Sequence, residues 1–205
     1  MKTTKLIKSV AIAALLAGGS AFAAPVELLL NGGFEADVQA AGTWNNYANL
    51  TDWTGGDYGI ELRNNVAGVA AQGVNFVELD TYHNSSMSHT VLTNVGQLYT
   101  LSFQFQDRSG VNTTSQGLAV SWGGGAVDSV NNSLGGGWES RTYTLTGNGS
   151  AMDLKFAAIG TDDSLGTSLD KVSLTTAVPE PETYAMMLAG LGLLGFAARR
   201  RKASK

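Results

Sequence analysis

Tyr99-Thr100-Leu101-Ser102-Phe103-Gln104-Phe105 alternates apolar and polar side chains. A period of two puts one set on each face of a pleated strand, so the stretch reads as a half-buried β-strand. Outward from it the same pattern recurs. Leu118, Val120 and Trp122 alternate with Ala119 and Ser121, and Tyr143 and Leu145 alternate with threonines. Met152, Leu154 and Phe156 oppose Asp153 and Lys155, and Val172 and Leu174 point inward from Asp170-Lys171-Val172-Ser173-Leu174. Gly73-Val74-Asn75-Phe76-Val77-Glu78-Leu79 reads as a more fully buried strand.

Turn signals separate these runs: Gly123-Gly124-Gly125, Gly135-Gly136-Gly137 and Asn148-Gly149. The three prolines, Pro25, Pro179 and Pro181, all fall outside residues 26–176, and no helical period of useful length lies inside. Short strands with frequent turns and no internal repeat predict an all-β, antiparallel β-sandwich of jelly-roll type. About 150 residues are enough to bury such a core unaided.

Charge narrows the partners. Of 13 basic residues, Lys2, Lys5 and Lys8 open the chain, while Arg199, Arg200, Arg201, Lys202 and Lys205 close it. The middle keeps Arg63, Arg108, Arg141, Lys155 and Lys171 against fifteen acids, a net charge of about −10. Such a surface repels a phosphate backbone, which argues against nucleic acid as a partner. There is no cysteine, so disulfides and thiolate metal sites are excluded.

The two ends read as addresses. Residues 1–23 combine the basic start with an apolar run, Val10 to Ala17. Ala21 and Ala23 then supply the small residues that signal peptidase needs, which predicts a signal peptide cleaved after Ala23. The apolar run is too short to span a bilayer. At the other end Val178-Pro179-Glu180-Pro181-Glu182 is held extended by its prolines. An apolar segment follows, Tyr184 to Ala198, of about 22 Å if helical, against a hydrocarbon core of about 30 Å. The cluster Arg199-Arg200-Arg201-Lys202 would stay cytoplasmic. Gly190-Leu191-Gly192-Leu193-Leu194-Gly195 matches a dinucleotide fingerprint in letters but lacks the βαβ context that gives it meaning. The expected organisation is therefore 1–23 signal peptide, 24–176 sandwich domain and 177–205 tail.

Motif, short apolar span and arginines in that order resemble the PEP-CTERM sorting signal of Gram-negative bacteria. The resemblance implies that Val178, Pro179, Glu180 and Pro181 are read by an exosortase-type enzyme while the tail holds the chain in the inner membrane. An ordinary C-terminal anchor is the alternative. In the domain, Asn31-Gly32-Gly33-Phe34-Glu35, Asp52-Trp53, Phe76-Val77-Glu78-Leu79-Asp80, Gly96-Gln97-Leu98-Tyr99 and Ser168-Leu169-Asp170-Lys171-Val172 follow in sequence. Their order resembles the galactose-binding-like jelly rolls related to the DUF642 group and several carbohydrate-binding modules. Two departures are His89, where glutamine is expected, and Lys171, where asparagine is commoner.

That resemblance implies one structural Ca²⁺ where the domain's ends meet, with Glu35 and Asp170 as ligands. The alternative is that both carboxylates cap turns. Asp80, Asp162 and Asp163 are further acidic loop positions. Among the aromatics, Tyr99 and Trp122 are in phase with inward residues, and Trp53 is core by resemblance. Trp44, Tyr47 and Tyr82 are expected in polar, Asn-rich loops as platforms on which a sugar ring can stack. Neither His83 nor His89 has zinc-like spacing, and no nucleophile with its base stands out. The expected function is an exported, non-catalytic surface or matrix protein binding extracellular polysaccharide. The alternatives are a purely structural protein and a polysaccharide hydrolase.

Overall fold

The stretch around Phe103 forms a nine-residue strand, and its apolar set enters the core as the alternation requires: Tyr99, Leu101, Phe103 and Phe105 are buried. The computed structural model describes residues 25–130, 137–176 and 187–192. Pro25–Ala177 form a compact unit of their own. Its first six strands are β1 (Thr43–Tyr47), β2 (Asn49–Leu50), β3 (Trp53–Gly55), β4 (Ile60–Asn64), β5 (Asn75–Glu78) and β6 (Ser86–Leu92). The rest are β7 (Leu98–Gln106), β8 (Leu118–Trp122), β9 (Gly125–Val130), β10 (Glu139–Thr146), β11 (Ala151–Ala158) and β12 (Ser168–Thr176).

They form two six-stranded antiparallel sheets, ordered β1-β4-β5-β12-β7-β10 and β2-β3-β6-β11-β8-β9. Consecutive strands repeatedly switch sheet, as in a jelly roll, and the chain is an all-β sandwich. The inner faces interdigitate: Phe103 of β7 meets Phe156 of β11 edge to face at 5.2 Å between ring centroids. Phe156 continues to Trp53, and Trp53 to Phe34, so aromatic contacts cross from one sheet to the other. Trp53, Tyr99 and Trp122 are core residues, as expected.

The ends of the domain close side by side. Leu28 donates its amide to the Leu174 carbonyl, Val172 to Gly32, and Thr176 to Val26. Gly32 has no room for a side chain, since a Cβ there would lie 1.7 Å from the Val172 oxygen. β12 carries a bulge between Asp170 and Ser173. Leu169 faces the core before it, and Val172 and Leu174 face it after, a phase change that strict alternation does not allow. Lys171 absorbs it at φ 51°.

One expectation is corrected. Trp44 and Tyr47 are on strand β1, not in a loop. Thr-Trp-Asn-Asn-Tyr has two asparagines and little apolar alternation because β1 is an edge strand exposed along most of its length. Tyr82 is in a loop, between β5 and β6.

The signal-peptide residues Ala21 and Ala23, the motif Val178–Pro181 and the cluster Arg199–Lys202 lie outside the described residues. Of the tail, residues 187–192 are helical. Among the described residues no helix is long and apolar enough to cross a membrane.

Candidate functional site

The outer face of the first sheet is where buried charge collects. Register pairs Trp44 with Arg63 and Arg63 with Phe76 in one row, and Glu61 with Glu78 and Glu78 with Ser168 in the next. These side chains point away from the core that Leu62 and Val77 enter. Yet Glu61, Arg63, Phe76 and Glu78 are all buried: Gly68 of the connection from β4 to β5 lies against Phe76, and Gly166 lies against Glu78. The Trp138 indole N–H fastens that connection, donating to the Val69 carbonyl at 2.9 Å, and its ring meets Phe76 edge to face.

The charges form a chain. Arg63 Nε lies 2.6 Å from Glu61 Oε1, and its Nη1 lies 2.6 Å from Glu78 Oε2. Arg108 Nη1 stands 3.8 Å from Glu78 Oε1, and the Gly166 amide donates to that same oxygen. Burial raises the Glu78 carboxyl from 4.5 to about 7, with the Glu61 charge adding to the rise and Arg63, Gly166 and Arg108 opposing it. A buried carboxylate costs less when paired, which is why two guanidinium groups gather here in a domain with five basic residues.

Above this chain opens a cavity of about 280 Å³. Glu61, Arg63 and Arg108 supply its polar wall, Trp44 and Tyr82 its aromatic wall, and Ala67 and Ser164 part of its rim. Trp44 is 48% exposed and Tyr82 64%, so both rings can be reached from solvent. Ala67 and Ser164 have φ of 57° and 65°, and Asn65 beside them 52°. Backbone held in this region by non-glycine residues is strained, and strain gathers at binding sites. Asp80 shapes the far wall by accepting the Asp163 and Leu165 amides, while Asp162 accepts the Asn84 amide and pairs with His83. A side-chain-to-backbone pair of bonds with Gln116 fixes the Arg108 backbone.

The structure thus brings together two of the three expected sugar platforms, Trp44 and Tyr82. Tyr47 does not line this cavity: its ring packs against the core, its hydroxyl donates to Gln39, and it lines a neighbouring cavity instead. Glu61, Arg63 and Arg108 were not expected. The signal for the first two was available, since charges alternating with apolar residues in Ile-Glu-Leu-Arg-Asn must find partners if that strand is covered on both faces.

Glu35 and Asp170 do converge, on the connection between β4 and β5. Glu35 Oε1 accepts the Val74 and Asn75 amides, and Asp170 Oδ2 accepts those of Ala71 and Gln72. Asp170 Oδ1 accepts the Lys171 amide. Burial, with the Glu35 charge as a smaller contributor, raises the Asp170 carboxyl from 3.8 to about 6. Ca²⁺ takes six to eight oxygens. Among the described residues no group of three or more His, Asp or Glu side chains is placed to hold a metal, and three of these four carboxylate oxygens already accept amide hydrogens. The side chains described therefore do not by themselves make a Ca²⁺ shell. His89, at the other departure, contacts the Asp52 carbonyl at 2.8 Å and lies edge-on to Trp53.

Comparison with known proteins divides along the chain. Residues 177–202 match the PEP-CTERM protein-sorting motif. The domain is 30% identical over 151 residues to a multifunctional-autoprocessing repeats-in-toxin protein of Vibrio cholerae, covering 73% of this chain but 3% of that protein. A similar match is made to the Vibrio vulnificus toxin, and the chain thus spans only a small fraction of the curated relatives it matches. In structure the domain is similar to a Stig cyclase from Fischerella sp. TAU, with TM-score 0.58 and 15% identity, over 77% of this chain and all of that one. It is also similar to a family 35 carbohydrate-binding module from Clostridium thermocellum, with TM-score 0.45 and 16% identity, over 66% of this chain and 99% of that one. At these identities the likeness is one of fold.

Proposed function

We propose that the domain is a non-catalytic carbohydrate-binding module of an exported surface or matrix protein, with extracellular polysaccharide as its ligand class. The PEP-CTERM motif implies processing by an exosortase, after signal peptidase has acted and while the tail holds the chain at the inner membrane. A fold by itself does not imply function, so the reading stands on the site. One observation carries it: two solvent-reachable aromatic rings, Trp44 and Tyr82, line one cavity with the Glu61, Arg63 and Arg108 side chains. Rigid aromatic faces match the C–H faces of a pyranose, and fixed charged groups give and take hydrogen bonds with its hydroxyls.

The hydrolase alternative needs two carboxyl groups flanking a bond. Among the described residues Glu61 is the one carboxylate lining the cavity, and Glu78 behind it is fully buried against Arg63. Polysaccharide-gel retardation of the secreted protein, over a panel of neutral and acidic polymers, tests the reading. Retardation that Trp44→Ala weakens supports it, and migration unaffected by every polymer leaves a structural protein without a sugar site.

A further inference from the structure

The Trp44 cavity is not isolated. A second cavity, of about 300 Å³, adjoins it, and Tyr82 lines both. Its walls include Tyr58 and Asp57 from the turn before β4 and Asn46 from β1. Asn46 is two residues from Trp44 on the same strand, hence on the same face and about 7 Å further along it.

The second cavity repeats the chemistry of the first. Tyr58 is 46% exposed and offers a ring. That ring is fixed from one side by His83, whose centroid lies 4.6 Å away, and His83 is itself held by Asp162 at 2.9 Å. A platform immobilised before the ligand arrives loses little entropy when it binds. Asp57 is exposed beside it, and a carboxylate accepts hydrogen bonds from hydroxyl groups. The backbone is built for the approach: the Tyr58 carbonyl accepts from both Asn46 and Thr81, tying the turn to β1 and to the Tyr82 loop.

We propose that the two cavities are consecutive subsites of one groove, and that its ligand is a linear carbohydrate segment of at least two sugar residues lying across Tyr82. This rests on the carbohydrate reading above and adds the ligand's length and direction. Each cavity alone is at or below the lower end of the range for ligand sites, roughly 300–1,000 Å³, and the pair lies well within it. Three exposed rings in series, Trp44, Tyr82 and Tyr58, suit a repeating polymer better than a single compact ligand.

The test measures affinity against chain length by calorimetry, using the full secreted chain and gluco-, manno-, xylo- and galacto-oligosaccharides of one to six residues. Affinity for the preferred series is expected to rise at least tenfold between the monosaccharide and the di- or trisaccharide. Tyr58→Ala is expected to abolish that rise. Tyr82→Ala, at the shared position, is expected to weaken every length. Thermal melting of both variants verifies folding, and Asp57→Asn reads the second subsite without touching a ring. Affinity independent of length, unaffected by Tyr58→Ala and Asp57→Asn but lowered by Trp44→Ala, overturns the two-subsite groove and leaves the carbohydrate site standing. Absence of any binding that Trp44→Ala alters overturns both.

Discussion

Glu35 and Asp170, from opposite ends of the domain, grip adjacent amides of one loop: Asp170 takes those of Ala71 and Gln72, and Glu35 takes those of Val74 and Asn75. The loop between β4 and β5 is therefore clasped at the seam where the chain's first and last segments meet. Four backbone N–H donors offset the repulsion between the two carboxylates. If these amide bonds alone close the seam, the melting temperature is the same in excess Ca²⁺ and in chelator. Glu35→Gln and Asp170→Asn, which weaken charge-assisted bonds, are each expected to cost about 1–2 kcal/mol under both conditions. A rise in melting temperature with Ca²⁺ that either variant abolishes would establish the pair as cation ligands.

Lys171 follows Asp170 at φ 51°, a left-handed conformation that costs a β-carbon-bearing residue about 1 kcal/mol. Asparagine bears that conformation more easily and glycine without penalty, which gives a physical reason for asparagine at this point of the bulge. Lys171→Asn is expected to raise stability by up to about 1 kcal/mol in urea titration with an unchanged slope. A loss of stability would show that the lysine side chain makes a contribution of its own.

What the sequence revealed and what it hid follow one physical division. Strands with one wet face, such as β7, β8 and β11, announce themselves through alternation, and Phe103, Val120 and Leu154 sit where it puts them. β5 was legible as a more fully buried run, but β4 alternates apolar residues with charges that are buried rather than wet, and β1 is an edge with almost no dry face. The site is built on those three strands. Its exposed rings, Trp44 and Tyr82, were visible as aromatics among polar residues, whereas the pairing of Glu61 and Arg63 with Glu78 depends on register, which no local pattern encodes. The bulge at Lys171, which reverses the phase of β12, was equally invisible.

Among the described residues Arg63 is the one cation touching both Glu61 and Glu78, and removing it leaves two buried carboxylates facing one another. Arg63→Met is expected to destabilise the domain by about 3–5 kcal/mol, the range for breaking a buried ion pair from one side. Adding Glu78→Gln should recover part of that loss, since one of the stranded charges is gone. Denaturant unfolding of the three variants measures the coupling.

The same cluster sets a pH dependence. Glu78 holds its proton to about pH 7 when folded, whereas the unfolded chain releases it near 4.5. Between those values the folded state binds more protons, so this group's contribution is fully present below about 4.5 and is lost as pH rises through about 7. Glu78→Gln cannot titrate. The stability difference between wild type and Glu78→Gln is therefore expected to shift against the wild type across that window, read as melting temperature at half-unit steps.

The aromatic residues separate by role. Trp44 is half exposed beside the cavity, so Trp44→Ala is expected to leave stability within about 0.5 kcal/mol while weakening polysaccharide binding about tenfold, equivalent to 1.4 kcal/mol. Tyr47 packs on the core and donates to Gln39. Tyr47→Ala should reverse that pattern. It lowers the melting temperature first and affects binding only where the ligand reaches the second cavity, which Tyr47 lines. Loss of binding in Tyr47→Ala with unchanged melting would make Tyr47 a ligand contact rather than a packing residue.

The final prediction concerns delivery. The sorting motif spans residues 177–202, and the domain's last strand ends at Thr176, so the Pro-Glu-Pro segment follows immediately on folded structure. Pro179 and Pro181 cannot join a sheet ladder as donors and bias their neighbours to extended backbone. In the proposed reading the basic cluster Arg199–Arg201 would resist translocation and keep the tail at the inner membrane until it is cut. Mass spectrometry of protein recovered from the cell surface is expected to show a chain beginning at Ala24 and lacking the basic cluster. Pro179→Ala combined with Pro181→Ala should leave an uncut chain in the membrane fraction, with its domain still binding polysaccharide after detergent extraction. Recovery of surface protein with an intact C-terminus through Lys205 would make the tail a permanent anchor, and the exosortase step would fall while the binding site stood.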